Sequence, residues 1–147
     1  MQISANGIAL IKRFEGFSPR MYICPAGYPT IGYGHVVHAA EPFASEIDEA
    51  TAEKLLRNDL HIIESAIARL IRVAQNQNQY DALISFTYNL GAGRLQMSRL
   101  RQYINRGEEA SVPREFQRWV YVAGHRSHGL VARRAAEASL YATPIAP

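Results

Sequence analysis

The sequence predicts an α+β chain, mostly helical, with a small antiparallel sheet lobe and a helical lobe joined by a long helix. Three observations carry this. Between residues 18 and 37, Pro19, Pro25, Gly27, Pro29, Gly32 and Gly34 punctuate short β-prone runs. From 48 to 70, apolar residues recur at helical spacing without a break. After 75, the chain breaks into shorter apolar-periodic segments, most of them ended by glycine. At 147 residues it can bury one hydrophobic core but not two ordinary ones.

Taken in order, Ser4 caps a first helix whose Ile8, Ile11 and Phe14 share one face and which Gly16 stops. Glu15 then falls in its last turn. Met21-Tyr22-Ile23 and Thr30-Ile31-Gly32-Tyr33 read as strands joined by tight turns. A loop over 39–46 leads to a helix over 48–70, started by Asp48 and carrying Ala52, Leu55, Leu56, Ile62, Ile63, Ala66, Ile67 and Leu70. At 1.5 Å per residue it is ~34 Å long, enough to bridge two lobes. Polar Asn76-Gln77-Asn78-Gln79 separates it from a helix over 80–90 that ends at Gly91. Helices over 98–105, 111–122 and 128–141 follow, the first two stopped by Gly107 and Gly124, before an irregular tail. The single domain, 1–147, thus divides into a sheet lobe at about 15–47, a linking helix at about 48–72 and a helical lobe at about 75–142, with the N-terminal helix packing on the last. A cleft is expected where the lobes meet.

Composition narrows the class. With 48% hydrophobic and 20% charged residues the chain is that of a soluble globular protein, and no run approaches the roughly 20 apolar residues of a membrane span. The N-terminus lacks the charge order and small-residue cleavage site of an export signal. Cys24 is the only cysteine, so no internal disulfide forms. Of the 16 basic residues 14 are arginine; residues 1–73 carry net −1 and residues 74–147 net +4. A basic half favours anionic partners without choosing among nucleic acid, acidic polysaccharide and a phosphate-bearing envelope.

Glu15 is the first candidate for chemistry. Breaking a glycosidic bond requires a carboxylic acid to protonate the leaving oxygen and a second group to place water opposite. Glu15 lies among Phe14, Phe17 and Tyr22, an apolar setting of the kind that raises a carboxyl pKa; by position alone, a surface glutamate at a helix end is the plainer reading.

The surrounding spacing tips the balance. Phe14-Glu15-Gly16, Tyr22-Ile23-Cys24 and Gly27-Tyr28-Pro29-Thr30-Ile31-Gly32-Tyr33-Gly34-His35 closely resemble the active-site region of the bacteriophage-type lysozymes, glycoside hydrolase family 24. That pattern is Glu, eight residues, Asp or Cys, five residues, Thr; here residues 16–23 and 25–29 fill the two intervals. The resemblance implies a lysozyme-like two-lobed fold and an endolysin that hydrolyses the β-1,4 bond between N-acetylmuramic acid and N-acetylglucosamine in peptidoglycan. It implies Glu15 as general acid, Cys24 and Thr30 holding the attacking water, Gly34 leaving room for the sugar against a strand, and Val36 lining the cleft floor. Residues 48–59 resemble the family's interlobe helix, with Asp59 implied to pair with a structural His35 of raised pKa. Residues 81–91 resemble the second lobe's central helix, placing Tyr88 and Asn89 on the glycan. Near the end, Arg118-Trp119 and residues 129–137 resemble the closing segments, where Arg133 or Arg134 is implied to reach Glu15; the plainer reading of both arginines is a solvated basic face.

Where many relatives have aspartate, this chain has Cys24. A thiol of pKa ~8.5 is a weaker base than a carboxylate at neutral pH. Orienting water, acting as a thiolate base and attacking the sugar are its three conceivable roles, the last disfavoured because a thioglycoside resists the second hydrolysis; inversion is what the family implies. A cysteine hydrolase using Cys24 with His35 or His38 lacks a third orienting group. A non-catalytic wall-binding module on a lysozyme scaffold is compatible with the missing aspartate. A nucleic-acid binder would draw on the basic half, but its arginines are dispersed over several helices. Expected partners are peptidoglycan glycan strands and, through the basic second half and an amphipathic segment over 111–142, anionic envelope lipids; no nucleic acid, no metal and no cofactor are expected, and a monomer is. Without an export signal, the family implies synthesis in the host cytoplasm and action on the wall after release through a separate membrane-permeabilising protein.

Overall fold

Helix α1 (Ala5–Glu15) starts where the chain can satisfy its first amides. The Gly7 N–H donates to Ser4 Oγ at 3.3 Å and the Ile8 N–H to the Ser4 carbonyl at 3.0 Å. Ile8 and Ile11 are buried on one face. Gly16, at φ +71°, turns the chain out of the helix as its N–H closes on the Lys12 carbonyl. The computed structural model describes residues 1–41, 43 and 45–146, and its chain falls into two units. Met1–Leu10 with Ile62–Pro147 form one and Ile11–His61 the other, so α1 and a second long helix each begin in one unit and end in the other.

In the unit Ile11–His61, strands β1 (Ser18–Ile23), β2 (Pro29–Gly32) and β3 (His35–Val36) form an antiparallel sheet in that order. Tyr22 stands opposite Thr30, and Thr30 opposite Val36, so these three form one row across a face of the sheet. A register shift between Ser18 and Tyr22 bends β1. The second turn shortens the strand that the sequence places over Thr30 to Tyr33. The strand ends at Gly32, Tyr33-Gly34 turn at a Gly34 φ of +86°, and Ile31 pairs back onto His35. Gly32 has a second constraint: a Cβ there would lie 3.1 Å from the Ala52 Cβ of α2 (Glu49–Leu70). Asp48 is the cap of α2 and not its first turn, its Oδ1 accepting the Thr51 N–H at 2.8 Å.

His35 is buried and held at both ring nitrogens, Nδ1 at 2.8 Å from Asp59 and Nε2 at 2.9 Å from Glu41. Burial favours the neutral ring, but hydrogen bonds to Asp59 and Glu41 and their charges outweigh it, and the His35 pKa is raised. Burial also raises the Asp59 carboxyl, opposed by its histidine partner. The expected pairing of Asp59 with His35 is therefore observed, and Glu41 is a partner the sequence did not announce.

The other unit is helical. Its helices are α3 (Gln77–Leu90), α4 (Ala92–Met97), α5 (Arg99–Asn105), α6 (Val112–Phe116) and α7 (His128–Ala142), with a two-stranded hairpin of β4 (Tyr121–Val122) and β5 (His125–Arg126) between the last two. Three expectations change here. The polar run after 76 is not a separator but the first turn of α3, because Asn76 and Gln79 form a reciprocal capping box. Residues 92–97 make a short helix that glycine content hid. The helix expected over 111–122 stops at Phe116, and Ala123-Gly124, at φ +49° and +80°, supply a hairpin turn instead of a helix stop. Phe86 packs edge-on against Phe116 and Trp119 at centroid distances of 5.6 and 6.0 Å. Asp81, wholly buried, accepts from the Ser4 N–H at 3.0 Å, from the Ser4 hydroxyl and from Gln77 Nε2 at 2.8 Å, tying the start of α1 to α3. No helix among the described residues is long and apolar enough to cross a membrane.

Two outcomes are expected for stability. Gly7→Ala should destabilise although alanine is the better helix former, since the added Cβ would meet Ile3 Cγ1 at 2.5 Å and Asp81 Cγ at 2.7 Å; a loss of about 1–3 kcal/mol in denaturant unfolding is expected. The raised His35 pKa contributes stability that is complete below the ordinary histidine value of about 6.5 and fades as pH climbs through the folded value. Melting temperature should therefore fall from about pH 6 toward mildly alkaline pH, and that slope should flatten in His35→Asn.

Candidate active site

The sequence candidates fall into two groups, one in each unit. In the sheet unit, Glu15 is the final residue of α1 and is half-buried. Cys24 follows β1 at the mouth of a hairpin. Pro25 fixes the first turn position, the Gly27 N–H closes on the Cys24 carbonyl at 2.8 Å, and Gly27 takes φ +89° so that the Cys24 N–H can meet the Tyr28 carbonyl at 2.9 Å. The three-residue loop thereby keeps the backbone N–H groups of Ala26, Gly27 and Tyr28 near the sulfur. The Tyr28 N–H has the largest effect on the thiol and, with the Thr30 hydroxyl and the N–H groups of Ala26 and Gly27, holds its pKa below the ordinary value against the desolvation that opposes them. Such a pocket of amides favours negative charge on sulfur.

Thr30 is buried in β2, and its Oγ1 lies 2.9 Å from the Tyr28 carbonyl. A hydroxyl has one proton and two lone pairs. Given to Tyr28, the proton leaves Oγ1 able to accept from a water; turned to Cys24, it stabilises thiolate. Either way Thr30 and Cys24 form one polar unit beside the exposed Val36, which completes the sheet row.

Tyr22 is the residue that sequence reasoning passed over as mere apolar surroundings. Partial burial, then the nearby negative charges of Glu15 and Cys24, raise its phenol pKa. One hydroxyl thus feels both candidate catalytic groups. The available signal was strand alternation: Tyr22 and Cys24 are two apart and share a side of the chain. Gly34 is half-buried and sits in the β2–β3 turn, where its positive φ favours glycine.

In the helical unit, Tyr88 and Asn89 are half-buried near the end of α3. Arg133 and Arg134 are not a solvated face: both are buried, on α7, around a wholly buried Glu137. Arg133 Nε lies 3.3 Å and Arg134 Nη1 2.9 Å from that carboxylate, which also accepts the Ser85 hydroxyl at 2.5 Å. Arg134 Nη2 donates to Asn89 Oδ1. Burial pushes the Glu137 carboxyl up, opposed by Arg134, Ser85 and Arg133. The i+3 and i+4 spacing of Glu137 from the two arginines was the sequence signal for this cluster. Among the described residues no group of His, Cys, Asp and Glu is arranged to hold a metal ion.

Known proteins carry the same architecture. Residues 12–137 match the family described as Phage lysozyme. An endolysin of Bacillus phage B103 is 42% identical over 145 residues, covering 97% of this chain; the chain spans only 55% of that relative's length. The muramidase domain of SpmX from Asticaccaulis excentricus superposes with a TM-score of 0.89 at 33% identity, covering 97% of this chain and 99% of that one. A P22 lysozyme mutant does so at 0.88 and 35%, with the same coverage of both chains. By sequence over nearly its whole length and by fold, the chain belongs to the phage lysozyme family.

Proposed function

We propose that this chain is a muramidase of the endolysin type, hydrolysing the β-1,4 bond between N-acetylmuramic acid and N-acetylglucosamine in peptidoglycan. The observation that carries the reading is that Tyr22, opposite Thr30 across the sheet, feels the charges of both Glu15 and Cys24, while the Thr30 hydroxyl reaches the Tyr28 carbonyl at the end of the Cys24 turn. Glu15 gives its proton to the glycosidic oxygen as the bond to the anomeric carbon breaks. Water held by Thr30 and Cys24 adds to that carbon from the opposite side, and its proton passes to Cys24. The lowered thiol pKa supports Cys24 as the base, so the reading needs no aspartate. The product is inverted at the anomeric carbon. Gly34, Val36, Tyr88 and Asn89 contact the glycan, Gly34 through its turn backbone. The chain reaches the wall after release by a separate membrane-permeabilising protein.

A contact with anionic envelope lipid is part of this reading, narrowed to one part of the stretch over 111–142. Arg133 and Arg134 are buried and unavailable for it. The β4–β5 hairpin is exposed at all six residues from 121 to 126, with Tyr121 at 62% and Val122 at 58%, beside the cationic Arg126. An apolar tip with a tyrosine and an arginine suits the headgroup boundary.

Purified sacculi digested by the chain should yield muropeptides with reducing N-acetylmuramic acid ends by mass analysis. Glu15→Gln should lower turnover by about 10²–10⁴-fold; an unimpaired variant would sink the glycosidase mechanism. Deprotonation of Cys24 should give turnover a rising limb with pH below the ordinary thiol value of about 8.5, and Cys24→Ser should remove that limb. Loss in Cys24→Ser with Glu15→Gln active would point to a cysteine hydrolase. Cosedimentation with anionic vesicles should weaken in the triple variant Tyr121→Ser, Val122→Ser, Arg126→Ser; unchanged binding would remove the hairpin from the lipid contact.

A further inference from the structure

Arg134 is a charged side chain enclosed in the helical unit. It is wholly buried on α7, its Nη1 lies 2.9 Å from Glu137 Oε1, and its guanidinium carbon sits 5.1 Å from the Phe86 ring centroid. Its Nη2 reaches the side-chain amide of Asn89. Ion pair, cation–π contact and hydrogen bond together hold the guanidinium plane in place.

That plane settles which way the Asn89 amide faces. A guanidinium offers donors and no acceptor, so the atom of Asn89 turned to Arg134 is its carbonyl oxygen and the amide nitrogen is turned away. Asn89 is only half-buried, whereas Arg134 is at the protein interior. What the side chain offers beyond Arg134 is therefore a pair of N–H donors. An asparagine without such a partner can present either its acceptor or its donor end.

We infer that Arg134 is a positioning residue that commits Asn89 to act as a hydrogen-bond donor, and that its acceptor is an acetamido carbonyl of the glycan. The acetamido oxygen is the strongest neutral acceptor on an N-acetylated sugar, while removal of the acetyl group leaves an ammonium that can only donate. Asn89 paired in this way discriminates between the two. The inference rests on the proposed glycan contact of Asn89 and adds its polarity and its cause. Glu137 and Ser85 take part at one remove, since they anchor the arginines.

The test uses the full chain, two substitutions at Asn89 and one at Arg134. Asn89→Asp keeps an oxygen for Arg134 and so should fold with an undiminished melting temperature, but it loses both donors. Asn89→Ala loses both ends. Each should raise KM on sacculi about 2–12-fold, the range of one net hydrogen bond, with little change in kcat. If Asn89→Ala leaves KM unchanged, the glycan contact itself fails. If Asn89→Ala raises KM and Asn89→Asp does not, the contact stands but Asn89 serves as an acceptor, and the inference is overturned. Calorimetry with N-acetylglucosamine oligomers and their de-N-acetylated counterparts reads the second half: the wild type should prefer the acetylated chain, and Asn89→Asp should lose most of that preference. An equal preference in both proteins would exclude the acetamido assignment. Arg134→Lys, checked for folding by circular dichroism, should raise KM no further when combined with Asn89→Asp; additive effects would mean that Arg134 does not act through Asn89.

Discussion

Glu137 has no contact with water, and a buried carboxylate must be compensated by its neighbours. Two arginines of its own helix and the Ser85 hydroxyl of α3 do so. Helix α7 can therefore face α3 in one rotation only, because any other would strand charge in an apolar interior. Apolar packing alone would not be so strict, since hydrophobic contact tolerates sliding and rotation. The rotation carries further consequences. It places Arg134 against Phe86, completes the aromatic cluster of Phe86, Phe116, Trp119 and Tyr141, and brings a donor to Asn89.

The sheet unit solves a different problem with the same economy of groups. Its strands are short, so register and turns decide where side chains stand. The row Tyr22, Thr30 and Val36 comes from strand pairing, while the setting of Cys24 comes from a three-residue turn whose amides favour negative charge on the sulfur. Burial plays almost no part in activating this thiol. Local backbone geometry does, which makes the setting a property of Pro25, Ala26, Gly27 and Tyr28 more than of the rest of the chain. His35 then ties the sheet to α2 through Asp59 and to the following loop through Glu41.

Much of this was legible in the residues. The spacing of Glu15, Cys24 and Thr30, the glycines after them and the long apolar periodicity from 48 to 70 pointed to the family and the fold class. Caps were legible too: Ser4 and Asp48 lie where their side chains meet free amides. The stretches whose structure differs from the sequence expectation share a cause, which is that one residue type serves two geometries. Asn76 and Gln79 read as a linker but form a capping box, and Gly124 reads as a helix stop but completes a hairpin turn with Ala123. Gly34 reads as part of a strand and lies in the turn after it.

Sequence by itself determined the class, the family and the identities of the candidate reacting groups, because chemistry and spacing are local and survive without coordinates. Tertiary structure decided the environments. That Arg133 and Arg134 are interior ions and not a wet face, that Tyr22 feels both Glu15 and Cys24, and that Asn89 is held by its oxygen all depend on the packing of segments distant in the chain. Charge, burial and hydrogen-bond polarity are set by whichever neighbour the packing supplies, and no single segment encodes its neighbour.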